Sequence, residues 1–162
     1  MPTNETVLKA LADLLTENFE GPHDPPGPFF TDTEAGTGLF GVLERLSAEQ
    51  ASVTPGADEA RRGATVAAHA EHLRWSLALM NAWMRDEQPE HDWEDSWSIT
   101  TVDPVAWDTL RNALRDEYRR IRERIAAQTE LPDFYVAGSF GFVAHMAYHF
   151  GAIRQYVLLI AG

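Results

Sequence analysis

The chain has 162 residues, with 25 acidic against 13 basic side chains for a formal net charge of −12, and no cysteine. Lack of cysteine excludes disulfides, Cys-type zinc fingers, iron–sulfur clusters, thiolate nucleophiles and Cys-attached haem, so any metal must be held by nitrogen and oxygen. The negative balance argues against a nucleic-acid partner, whose binding rests on clustered Lys and Arg releasing counterions.

The length predicts one domain over residues 1–162, large enough to bury about 70% of the surface its unfolded form exposes. The N-terminus lacks a basic segment followed by an apolar one, and no stretch approaches 18 continuous apolar residues. A cytoplasmic protein with no membrane partner is therefore expected.

In chain order, Thr3 or Asn4 can cap a first helix that carries Val7, Leu8, Leu11, Leu14, Leu15 and Phe19 on one side and stops near Gly21-Pro22. Gly21 to Thr33, with Pro22, Pro25, Pro26 and Pro28, cannot be a regular helix, because proline removes a donor and clashes with the preceding turn. A shorter helix is expected from Glu34 or Gly38 to Ala48, burying Leu39, Phe40, Leu43 and Leu46. Ser52 to Gly63 reads as a linker turning at Pro55-Gly56.

The spacing then predicts a long helix over Ala64 to Arg85. Val66, His69, Leu73, Leu77, Met80 and Met84 share one side of it, flanked by His72, Ser76, Leu79 and Trp83. Residues 86–103 form a second irregular connection containing Pro89, Trp93 and Trp97. Asp103-Pro104 is a strong helix start, and Trp107, Leu110, Leu114, Tyr118, Ile121 and Ile125 continue it to about Gln128. Its basic residues, Arg111 through Arg124, alternate with Asp116, Glu117 and Glu123 at helical spacing, the mark of a solvated, salt-bridged face. A last helix begins between Asp133 and Ser139 and runs to Ile160. With no alternating strand pattern anywhere, the expected fold is all-α, a four-helix bundle with an additional short helix.

Chemistry is suggested by His145-Met-Ala-Tyr-His149 and His69-Ala-Glu-His72. Residues three or four apart on a helix lie on one face with Cβ atoms about 5–6 Å apart, so two imidazoles so placed can share one metal. Burying His145 and His149 side by side without a metal or acid costs desolvation, which favours a shared cation. A lone His69 is more readily a packed core residue. His23 and His91 sit in the irregular connections and are not counted as ligands; Tyr148 and Glu71 are better explained by packing or surface than by proton handling. A zinc-protease helix needs Glu directly after its first His, where this chain has Met146. The Glu-x-x-His spacing of di-iron bundles occurs only at Glu20–His23, in a loop. A mononuclear site remains.

Thr65-Val-Ala-Ala-His-Ala-Glu-His72-Leu73 and His145-Met-Ala-Tyr-His149-Phe-Gly151-Ala-Ile153-Arg154-Gln155 resemble the second-helix and last-helix motifs of the DinB-like or YfiT-like metalloenzymes, which are unrelated to the DNA polymerase of similar name. The resemblance covers most of the chain, including Asp92-Trp93, Trp107, and Leu43 through Ala51 followed by Pro55. It departs at Ala152, where the family usually has Gln. It implies a four-helix bundle, often a homodimer, with a three-His divalent metal held by His72, His145 and His149; the Leu after it favours His72 over His69, leaving His69 to support a ligand. It also implies a low-molecular-weight thiol cosubstrate and a small-molecule substrate, in a thiol S-transferase or related hydrolase. The rival expectation is a non-catalytic metal-binding stress or interaction module. Neutral imidazoles place Zn or Ni foremost, with Fe, Mn or Cu open. Phe29, Phe30, Trp93 and Trp97 are expected to bring at least one irregular connection over the metal.

Overall fold

The computed structural model describes residues 3–23, 28–55 and 63–161. Pro25, Pro26 and the Gly56 half of the expected turn lie outside the described residues. The described residues are all-α, with no strand. Their helices are α1 (Asn4–Glu20), α2 (Leu39–Glu44), α3 (Ala48–Ala51), α4 (Val66–Trp83), α5 (Pro104–Ala127) and α6 (Asp133–Ala161), with a 3-10 turn at Trp93–Trp97. Four long helices and short accessory ones are the element content expected of a bundle. None of the described helices is long and apolar enough to cross a membrane.

The chain divides into two compact units, Met1–Leu43 with Arg122–Gly151, and Glu44–Ile121 with Ala152–Gly162; α5 and α6 contribute to both.

In the first unit, Thr3 caps α1 by accepting the Thr6 N–H at 3.2 Å. The apolar face of the helix buries Leu8 and Leu11 with Leu131 and Val143, and Val7, Leu14, Phe30, Ile125 and Val136 pack around them. Burying a side chain of this size stabilises by about 1.5–3 kcal/mol. Glu17, 3% exposed, accepts the Phe29, Phe30 and Thr31 N–H groups on Oε1 at 2.6, 2.6 and 3.0 Å. One carboxylate oxygen thus satisfies three consecutive donors of a segment that prolines keep out of a helix. Gly21, at φ 109°, ends α1 beside Gly38, where a Cβ would collide with the Gly21 backbone.

The short helix of the sequence reading proves to be two, α2 and α3. Ser47 accepts the Gln50 N–H at 3.1 Å while Gln50 Oε1 accepts the Ser47 N–H at 3.0 Å. This reciprocal cap starts α3 at Ala48, and α2 ends at Glu44. Leu46, in the break, stays buried, and its carbonyl accepts the Trp107 indole N–H at 2.9 Å. Asp103 Oδ1 accepts the Ala106 N–H at 2.8 Å, so α5 starts where Asp-Pro predicts. Trp107, Leu110, Leu114, Tyr118 and Ile121 form its buried face, while Arg111–Asp108, Arg119–Asp116 and Arg120–Glu117 pair along the outer one.

Helix α4 stops two residues before the predicted Arg85. Asp86 takes φ 60° and the Glu87 N–H returns to the Ala82 carbonyl at 3.1 Å, a left-handed cap formed by Asp in place of the glycine that usually marks it.

Candidate metal centre

Thr65 begins the site. Its hydroxyl accepts the Ala68 N–H at 3.1 Å and donates to the Thr100 carbonyl at 2.8 Å, which ties the first turn of α4 to the connection carrying Trp93, Ser96 and Trp97. The next two turns of α4 are buried nearly all round, and they present His69 at 6% and His72 at 4% exposure.

The hydrogen bonds of His72 define its tautomer. His72 Nδ1 lies 2.7 Å from Ser96 Oγ, and the Ser96 hydroxyl lies 2.6 Å from the Trp93 carbonyl. A carbonyl only accepts and a hydroxyl has one proton, so the Ser96 proton is committed to Trp93 and His72 Nδ1 must donate. Nε2 is thereby the unprotonated ring nitrogen, and a hydrogen bond at the other nitrogen is the arrangement that orients a metal-binding imidazole. Trp97 lies flat on the same ring, centroids 4.0 Å apart and planes 10° apart, and Trp93 stands 6.4 Å away at 47°. The 86–103 connection therefore reaches one candidate ligand, His72.

On α6, His145 and His149 stand one turn apart with ring centroids 4.5 Å apart in an edge-to-face arrangement. His149 is buried, and burial holds the His145 imidazole below its ordinary value of 6.5 by disfavouring the charged form. Tyr148 is 72% exposed, with its ring edge-on to His149 at 4.9 Å.

His72, His145 and His149 each offer a ligand nitrogen, and these atoms all lie within 4.8 Å of one another. Three histidines this close could hold a metal ion. No family model, curated protein or solved structure matches the chain.

His69 is outside that group. Its ring meets Trp97 and Tyr156 edge-on at 5.4 and 5.5 Å, the packing expected of a core histidine. Gly63, at φ 68°, lies close enough that a Cβ there would come within 3.2 Å of His69 Nε2. His23 contacts the Asp13 carbonyl at 3.0 Å, and His91 packs among Trp75, Trp83 and Trp93 and is not one of the triad. Glu71 receives Arg74 through two hydrogen bonds of 2.6 and 2.7 Å, which raise the proton affinity of the guanidinium and engage both carboxylate oxygens. Of the loop phenylalanines, Phe30 joins the core of the first unit and Phe29 is 61% exposed.

Ser96 is the residue that sequence reasoning missed. It stands 24 residues from His72, and only its place between Trp93 and Trp97 in a short turn distinguishes it from other serines. Ser96→Ala is expected to weaken metal binding by about 10–100-fold, the usual effect of removing a hydrogen bond that orients a ligating His. A chelator-competition titration measures this, with circular dichroism as the control for helical content. An unchanged affinity would refute the orienting role.

Proposed function

We propose that His72, His145 and His149 hold one divalent metal ion, and that the protein is a thiol-dependent S-transferase, or a related hydrolase, of the DinB-like or YfiT-like kind suggested by its histidine motifs. The observation that carries this reading is the convergence of three imidazole nitrogens within 4.8 Å. Three neutral nitrogen donors suit Zn or Ni foremost, and Fe, Mn or Cu as well. One ion would be held by one ring nitrogen from each of His72, His145 and His149, which lie within 4.8 Å of one another.

When bound, such an ion supplies Lewis acidity that favours the deprotonated form of a coordinated thiol or water at neutral pH. The chain's own residues prepare the site for this. Ser96 holds His72 in the tautomer that presents Nε2, and Trp97 covers one face of the ring and excludes water from it. Burial keeps His145 in the neutral form a cation requires. Three protein ligands leave a coordination position for the thiol or substrate, and the helices hold the ligands while the aromatic connection borders His72. Cytoplasmic action on a small-molecule substrate, by a homodimer, belongs to the same reading.

One observation favours a second reading, a metal-binding module without catalysis. Glu71, the carboxylate next to His72 in sequence, is fully engaged by Arg74 and so is unsuited to proton transfer.

Metal-loaded, untagged protein assayed with glutathione, cysteine, bacillithiol and mycothiol, each against a chromogenic electrophile, and separately against a chromogenic ester, distinguishes the two. The enzyme reading predicts turnover above the uncatalysed rate that disappears in His149→Ala. No turnover with any thiol or with the ester, in protein carrying one ion per chain, selects the binding module.

A further inference from the structure

We propose that Trp75, Trp83 and Trp93 form a cage for a quaternary trimethylammonium group, a binding site distinct from the three histidines and independent of any metal.

Trp75 and Trp93 stand with ring centroids 5.0 Å apart at 58°. The His91 ring lies 6.2 Å from Trp75, 5.6 Å from Trp83 and 5.9 Å from Trp93, and meets the last two edge-on at 75° and 90°. Three indoles thus lie within 6.2 Å of one imidazole, whose place a cation of similar size would take. His91 Nδ1 donates locally, to the Pro89 carbonyl at 3.0 Å two residues away, and the residue is exposed. It can swing out by side-chain rotation.

Trp83 is 40% and Trp93 47% exposed, so large rings that a core would bury are grouped at the surface instead. Grouped exposed aromatics mark binding surfaces more often than scattered ones do.

The charge around the cage selects the ligand. Asp86, Glu87, Glu90, Asp92, Glu94 and Asp95 fall within ten residues; Arg85 pairs with Glu87, and neither Lys nor Arg occurs from Asp86 to Leu110, so five of the six carboxylates have no basic neighbour within that stretch of sequence. Such a segment repels anions and concentrates cations. An indole face attracts a cation within about 6 Å of its centroid, and tryptophan is the strongest aromatic partner. A metal ion or primary ammonium keeps its water or seeks carboxylates. A quaternary ammonium donates no hydrogen bond, loses little on leaving water, and turns methyl groups toward the rings, which makes it the cation that three indoles suit best.

The trimethylammonium group can come from a free molecule such as choline or from a trimethylated lysine on another protein. Titrating the full chain, treated with chelator, with choline, with its neutral carbon isostere 3,3-dimethyl-1-butanol, and with a short trimethyllysine peptide separates these cases. The five tryptophans give five indole N–H signals, assigned by single Trp→Phe variants.

Choline is expected to shift the Trp75, Trp83 and Trp93 signals saturably in about the millimolar range, at least about tenfold more tightly than the isostere, and to leave buried Trp107 unmoved. Trp83→Ala, at the exposed end of α4, should lose most of this affinity. His91→Ala should gain affinity several-fold, because the wild-type site is available only when His91 is out. A peptide binding more tightly than choline would keep the cage and move its ligand to a protein side chain. Equal binding of choline and the isostere, or no saturable shift with choline or peptide in both wild type and His91→Ala, would overturn the proposal.

Discussion

His145→Ala and His149→Ala are each expected to abolish stoichiometric metal binding while leaving helical content largely unchanged. The two side chains stand one turn apart on α6 with ring centroids 4.5 Å apart, and no histidine or carboxylate replaces either on that face, where the adjacent turns carry Gly141, Phe142, Ala152 and Ile153. Two remaining imidazoles bind a divalent ion far more weakly than three. The helix itself survives because its stability comes from apolar packing by Val143, Met146, Phe150 and Ile153, all buried, and not from the histidines. Metal content after dialysis, measured by elemental analysis beside far-ultraviolet circular dichroism, decides the matter. His69→Ala should lower affinity far less, since its ring packs on Trp97 and Tyr156 outside the triad. Undiminished metal in both α6 variants would reject these ligands, and loss in His69→Ala with His72→Ala silent would exchange the α4 ligand.

Acidification should release the ion and remove the stability it confers. Each ligand must be a neutral imidazole, so protons compete with the metal at three positions. If all three imidazoles held the ordinary value of about 6.5, apparent affinity would fall by about 4.4 decades between pH 7.5 and pH 5, and the lowering of His145 by burial makes the expected fall smaller. At fixed metal concentration each lost decade removes about 1.4 kcal/mol of linked stability until binding vanishes.

His145 adds a smaller effect of the same sign in the metal-free protein. Its folded-state value is lowered by burial, so on acidification the unfolded chain takes up the proton first. The stability it contributes is present above about pH 6.5 and is lost as pH falls through its folded value. Thermal melts across this range, with metal and with chelator, separate the two contributions. A metal-induced rise in melting temperature that is the same at pH 5 and pH 8 would contradict a three-imidazole site.

The helices and the triad were legible in the sequence to different depths. The apolar spacing of α1 and α5 and the Asp103-Pro104 start translate directly into the observed faces, because local periodicity and capping act over a few residues. The His145–His149 pair was legible for the same reason: one helical turn decides that they share a face.

Choosing between His69 and His72 was beyond the residues alone, since both point broadly inward from α4. That choice depends on what stands opposite each ring, Ser96 and a flat Trp97 for one, the edges of Trp97 and Tyr156 for the other. The break between α2 and α3 was readable in principle from Ser47-x-x-Gln50, but apolar Leu46 carried the helical pattern through it. The left-handed Asp86 has no distinctive sequence signal, because the residue usual at such caps is glycine. The Trp75, Trp83 and Trp93 grouping around His91 joins two turns of α4 to a connection without regular periodicity, and only the folded chain brings those rings together.

The central claim is that three imidazoles share one ion. X-ray absorption at the edge of the metal that copurifies with untagged protein measures the number and type of its ligands directly. The account predicts about one ion per chain, with outer-shell scattering of three imidazoles and nitrogen at about 2.0–2.1 Å if that metal is zinc. An oxygen-only shell, a single imidazole, or protein that retains no ion at neutral pH after mixing with zinc or nickel would contradict it.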